Sequence, residues 1–72
     1  MNNANVAKIQ LNGKQFQINN GIYLNELLNT LKIKTNKVAI EVNGIIIEKG
    51  KYQQLKLKKN DKVEIVHFIG GG

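Results

Sequence analysis

At 72 residues, with no cysteine and one histidine, His67, the chain is sized for one small domain and has no side-chain thiol for catalysis or disulfide stapling and no donor set for a multi-ligand zinc site. A chain near this size buries only about 60% of the surface its unfolded form exposes, which leaves no room for a deep pocket and disfavours autonomous catalysis. Eleven lysines against five acids give a net charge of +6 without a single arginine. That balance fits steering toward an acidic partner at least as well as nucleic acid, whose dedicated readers exploit the bidentate guanidinium fork.

The amino end, Met1 to Asn5, has neither a basic start nor an apolar stretch, and no apolar run approaches the roughly 20 residues of a membrane span. The expectation is a soluble, cytoplasmic protein with no membrane partner. Val6 to Leu11, then Asn12-Gly13, then Lys14 to Ile18 reads as a hairpin. Alternation places Ala7, Ile9 and Leu11 on one face of the first strand and Phe16 and Ile18 on one face of the second, and Asn-Gly suits a type I′ turn that needs positive φ twice. From Asn19 to Lys32 the period changes, and Leu24, Leu27, Leu28 and Leu31 gather on one stripe of a short amphipathic helix. Asn20 is a candidate cap, but a start near Tyr23 fits the leucine register better and leaves the helix without a standard capping side chain. Lys32, Lys34 and Lys37 stand at or beyond its end as solvated cations.

Val38 to Val42 is a strand with Val38, Ile40 and Val42 on one face, and a second Asn-Gly, Asn43-Gly44, turns it into Ile45 to Ile47. Glu48 to Gln54 is polar and irregular, with Tyr52 and Leu55 as candidate anchors to the core. Lys59 to Asp61 is a turn, and Lys62 to Ile69 forms the last strand. If Val63 and Ile65 point inward, Val66 and Phe68 lie on the opposite sheet face, where together with Ile69 they form a candidate docking surface beside the carboxyl end. The competing reading is that sheet twist or the segment from Tyr52 to Leu55 covers them. Lys49, Lys51, Lys56, Lys58, Lys59 and Lys62 are grouped as a basic face around the second half of the sheet, and His67, lacking a fixed carboxylate partner, is read as a surface or packing residue. One helix must cover one face of the sheet, so the class is α+β.

The final strand runs straight into Gly70-Gly71-Gly72. The division expected is a single domain over residues 1–69 and a flexible glycine tail over 70–72, whose α-carboxylate, ionised at neutral pH, is suited to thread a narrow channel. The helix at Leu24 to Leu28, the Val38 to Gly44 hairpin, Asn60-Asp-Lys-Val-Glu-Ile-Val66 and the glycine terminus together resemble the ThiS family, the sulfur carrier proteins of thiamine biosynthesis, over Val6 to Gly72. The resemblance implies a ubiquitin-like β-grasp fold, a mixed sheet of about five strands with one main helix on one face. It also implies that a ThiF-like adenylyltransferase, using ATP and magnesium, converts the Gly72 carboxylate to an acyl adenylate. Sulfur relayed from a cysteine desulfurase then displaces AMP to leave a thiocarboxylate, and thiazole synthase receives the sulfur. On this reading Gly72 bears the sulfur, Gly71 and Gly70 thread the channel, and the chain is a carrier and cosubstrate, not an enzyme, with no metal and no permanently bound cofactor of its own.

Two alternatives stand beside it. The small subunit of molybdopterin synthase resembles the same layout and also ends in Gly-Gly, as do other ubiquitin-like carriers, and fold alone does not separate them. From a different class, the lysine-rich loops resemble a small basic RNA-binding module. The lack of arginine and the absence of an aromatic cluster on one strand disfavour nucleic acid.

Overall fold

The computed structural model describes residues 5–68. β1 (Val6–Leu11) and β2 (Lys14–Asn19) form an antiparallel hairpin in register from Val6 opposite Asn19 to Leu11 opposite Lys14. Its turn holds Asn12 at φ 49 and Gly13 at φ 84, and the second Asn-Gly turn repeats this with Asn43 at φ 52 and Gly44 at φ 83. These are the paired positive dihedrals that match a tight turn to the twist of the strands it joins. α1 (Leu24–Thr30), β3 (Val38–Val42), β4 (Ile45–Ile47) and β5 (Lys62–His67) follow, with short 3₁₀ turns at Thr35–Lys37 and Lys49–Lys51.

The strands form one mixed sheet in the order β2-β1-β5-β3-β4, so the last strand in sequence is the middle strand in space. β5 runs parallel to β1 and antiparallel to β3. The inward residues of each strand meet Leu24, Leu27 and Leu28 of the helix, all essentially inaccessible to solvent, in one core that includes Ile9, Ile40, Val63 and Leu57. Leu31, the fourth of the leucine stripe, is half-buried.

Both helix ends show how the chain compensates for missing cap residues. Tyr23 is the N-cap, and its N–H donates to Glu26 Oε1 at 3.0 Å. The amides of Leu24 and Asn25 donate to the carbonyls of Leu55 (2.8 Å) and Tyr52 (3.0 Å), so backbone from a distant segment satisfies groups that a side chain usually takes. At the other end Ile33 N–H reaches Leu28 O at 2.9 Å and Lys32 N–H reaches Asn29 O at 3.0 Å, a Schellman motif. Its left-handed position, at φ 58, is held by Lys32 rather than glycine.

The segment after β4 anchors as expected through Tyr52, buried, and Leu55, half-buried. It packs over the start of the helix, where Leu57 N–H also donates to Ile22 O at 2.8 Å, and so it does not cover the outer residues of β5. The proposed single basic face is not formed. Lys56 stands over the Tyr23 ring, 5.6 Å from its centroid, beside the helix, whereas Lys62 alternates with buried Val63 and so lies on the sheet face away from the helix. Among the described residues no helix is long and apolar enough to cross a membrane.

Candidate functional site: the open sheet face and the exit of the central strand

Alternation along β5 sorts its side chains by role. Val63 and Ile65 are 1% and 7% exposed, while Val66 and Phe68 are 57% and 61% exposed, so the second pair does lie bare on the face away from the helix. Cross-strand register extends this face. Ala39 of β3 stands opposite Val66, Glu41 opposite Glu64, and Ile46 of β4, 70% exposed, opposite Glu41. An apolar strip of Val66, Phe68, Ala39 and Ile46 therefore borders two opposed carboxylates. Ile69, the third residue assigned to docking, lies outside the described residues.

β5 is paired unevenly along its length. β1 accompanies it only through Leu11 opposite Val63, because the chain turns away at Asn12. The Asn12 side chain then substitutes for a strand: Oδ1 accepts the Ile65 N–H at 2.7 Å and Nδ2 donates to the Ile65 carbonyl at 3.2 Å. Beyond Ile65 the described strand is paired by β3, with Ala39 opposite Val66 and Val38 opposite His67, and the Phe68 N–H donates to Lys37 O at 2.9 Å. The described backbone is thus hydrogen-bonded through Phe68, the last described residue. Gly70, Gly71 and Gly72, the sulfur-bearing and threading positions, lie outside the described residues.

At its start β5 is clamped by the other Asn-Gly turn. Asn43 Oδ1 accepts the Lys62 N–H at 2.9 Å, and Asn43 Nδ2 donates to Asp61 Oδ1 at 3.0 Å. Asp61 is buried, and its Oδ2 also accepts the Lys58 N–H at 2.9 Å. Sequence reasoning identified both asparagines as turn formers but not as clamps on the middle strand; β-strand order was the missing information. His67 is exposed at the strand end. Among the described residues no three His, Asp or Glu side chains gather as a metal site, and the surface depressions are open and shallow, such as the one lined by Glu41, Asn43, Gly44, Lys62 and Glu64.

A five-stranded mixed sheet wrapped on one helix, with the carboxyl-terminal strand in the middle, is a ubiquitin-like β-grasp domain. The ThiS family model matches residues 9–72, through the last glycine. The crystal structure of the thiamine biosynthesis protein ThiS from Geobacter metallireducens superposes with a TM-score of 0.80 at 31% identity, covering 90% of this chain and 99% of that one. The sulfur carrier protein ThiS of Bacillus subtilis is 38% identical over 66 residues, which is 89% of this chain and 98% of the relative. A thiazole synthase from Magnetococcus marinus is 42% identical over 65 residues, 90% of this chain, which spans only 20% of that longer protein. The chain belongs to the ThiS family, the sulfur carrier proteins of thiamine biosynthesis.

Proposed function

We propose that Gly72 is the sulfur-bearing residue: its carboxylate is adenylated by a ThiF-like enzyme using ATP and magnesium, and sulfur supplied through a cysteine desulfurase replaces AMP to give a thiocarboxylate. A carboxylate is a poor electrophile, and adenylation supplies the leaving group that a sulfur nucleophile needs. Glycine at 70, 71 and 72 leaves no Cβ to obstruct that nucleophile or the walls of a narrow channel. The observation that carries this reading is the family match running through Gly72 on a fold whose middle strand, Lys62–His67, bears the exposed apolar residue Val66 and is followed by exposed Phe68. Val66, Phe68 and Ile69 are the docking residues, and Gly70 and Gly71 the threading residues.

Thiazole synthase is the acceptor best supported. In the relatives from Magnetococcus marinus and Paramagnetospirillum magneticum, both named thiazole synthase, the matching segment is 20% of one continuous chain. Physical linkage in one polypeptide raises the effective concentration of two modules that must meet. This favours thiazole synthase over a pterin-forming acceptor. The test is intact-mass spectrometry after incubation with the adenylyltransferase, ATP, magnesium and a sulfur source. The carrier reading requires the mass gain from replacing one oxygen by sulfur and its loss on deletion of Gly72; no gain with an enzyme that charges the Bacillus relative refutes it.

A further inference from the structure

The open sheet face contains a feature that folding does not explain. Glu41 and Glu64 are directly opposed on adjacent strands. Opposed like charges in a sheet destabilise the pair relative to neutral residues. Of the five acids, Glu26 holds the Tyr23 N–H and Asp61 closes the turn before β5, so both have structural work. The Glu41–Glu64 row has a different setting: Val66 and Ala39 form the row on one side, Ile46 flanks Glu41 on the next strand, and Lys62 stands along β5 on the other side. One lysine does not balance two carboxylates. The spot is therefore locally negative, on a chain whose net charge is +6.

We propose that the partner docking on this face presents an arginine or lysine set among apolar side chains, and that Glu41 and Glu64 receive it together while Val66, Phe68 and Ile46 bury the surrounding apolar surface. The inference deepens the docking reading above and rests on it. The charge pattern supplies the complementarity. A partner that attracts a basic chain at long range is acidic overall, and a single cationic knob placed against two glutamates fixes register within that encounter. The apolar rim excludes water from the contact and strengthens the attraction, since charges interact more strongly where the effective dielectric constant is low. A cation between the two glutamates also relieves their mutual repulsion, so this repulsion in the free chain becomes specificity in the complex. A partner with an acid or a bulky neutral group at that position leaves both carboxylates desolvated and unpaired, and is rejected.

The experiment compares the wild-type chain with Glu41→Gln, Glu64→Gln and the double variant. Titration calorimetry measures binding to a purified thiazole synthase and to the adenylyltransferase, at low and high salt. Thermal melts and sedimentation of the free chain run in parallel, with intact-mass charging of Gly72. The expected result is opposite movement of two quantities: the double variant melts at or above the wild-type temperature, yet binds at least one of the two enzymes about tenfold or more weakly at high salt, where the variant's larger net charge is screened. Solvated bystander glutamates would leave affinity unchanged. A wild-type chain that gains sulfur but binds both enzymes no better than the double variant overturns this inference alone. A wild-type chain that self-associates through these glutamates, with the double variant monomeric, also overturns it, because a second copy is then the occupant. A wild-type chain that neither gains sulfur nor binds overturns this inference and the carrier reading together.

Discussion

Replacing Asn12 by glycine isolates the contribution of the clamp on the middle strand. Asn12 sits at φ 49, a dihedral glycine adopts freely, so Asn12→Gly removes the amide without straining the turn. Two hydrogen bonds to Ile65 are lost, at 2.7 and 3.2 Å. At about 0.5–1.5 kcal/mol net for each bond, the expected loss is about 1–3 kcal/mol. At about 0.05–0.15 kcal/mol per residue a chain of this length has about 4–11 kcal/mol of stability in total, so the variant still folds. Its melting temperature should fall by roughly 10 °C. Asn12→Asp separates the two bonds. It keeps an acceptor for the Ile65 N–H but turns the donor into an oxygen facing the Ile65 carbonyl, so at neutral pH it should be at least as unstable as the glycine variant. It should regain ground on wild type below about pH 4, where the carboxyl group is protonated and can donate again. Urea unfolding gives the free energies, and hydrogen exchange should show the Ile65 amide exchanging faster in Asn12→Gly. If Asn12→Gly unfolds within about 0.3 kcal/mol of wild type with Ile65 protection unchanged, the amide is not acting as a strand and the reasoning fails.

Lys32→Gly should stabilise the chain by about 0.5–1 kcal/mol in urea unfolding, because glycine occupies the left-handed position of the Schellman motif without a Cβ penalty. Leu57→Ala should cost about 2–5 kcal/mol, since Leu57 is fully buried and its removal leaves a cavity against the helix. Burial raises the pKa of Tyr52 above its ordinary value of 10.0. The folded state thus holds this proton longer than the unfolded one, so its contribution is intact below pH 10.0 and is lost as pH rises past that value. Tyr52→Phe should therefore show a shallower alkaline loss of stability than wild type, read as the difference between their unfolding free energies across that window.

What the sequence made legible was local. The Asn-Gly turns, the alternation of Ala7 with Ile9 and the leucine spacing each rest on contacts within a few residues, and each element lies where its pattern places it. The helix start at Tyr23 followed from the same register. Properties that depend on which strands become neighbours were not legible. Leu57 sits between two lysines in a polar stretch, and only the return of its backbone to Ile22 reveals that it is core. The clamping roles of Asn12 and Asn43 and the burial of Asp61 require β5 to lie between β1 and β3. The Glu41–Glu64 opposition needs that order and the register as well. The supposed single lysine face failed for the same reason, because the segment carrying Lys49 to Lys56 packs over the helix start rather than along the sheet.

The middle position of β5 constrains how the carrier can work. Its inward residues fix the strand to the core, its outward residue Val66 and the following Phe68 belong to the proposed docking surface, and in sequence it leads directly toward Gly70 to Gly72. Gly72 lies four residues beyond Phe68. At about 3.3–3.6 Å each when fully extended, they span at most about 13–14 Å. On the carrier reading, a partner seated on Val66 and Phe68 must hold its reacting atoms within that distance of the strand end. Inserting two glycines between Gly70 and Gly71 adds up to about 7 Å of slack and moves the terminal carboxylate out of register with those atoms. On that reading, binding to the adenylyltransferase should then stay near the wild-type value, because the proposed docking residues Val66 and Phe68 are untouched. Thiocarboxylate formation should fall by about tenfold or more, as positioning rather than recognition is lost. Equal charging rates for the inserted and wild-type chains would show that the enzyme captures the tail wherever it lies, and that the tail length set by β5 does not control the reaction.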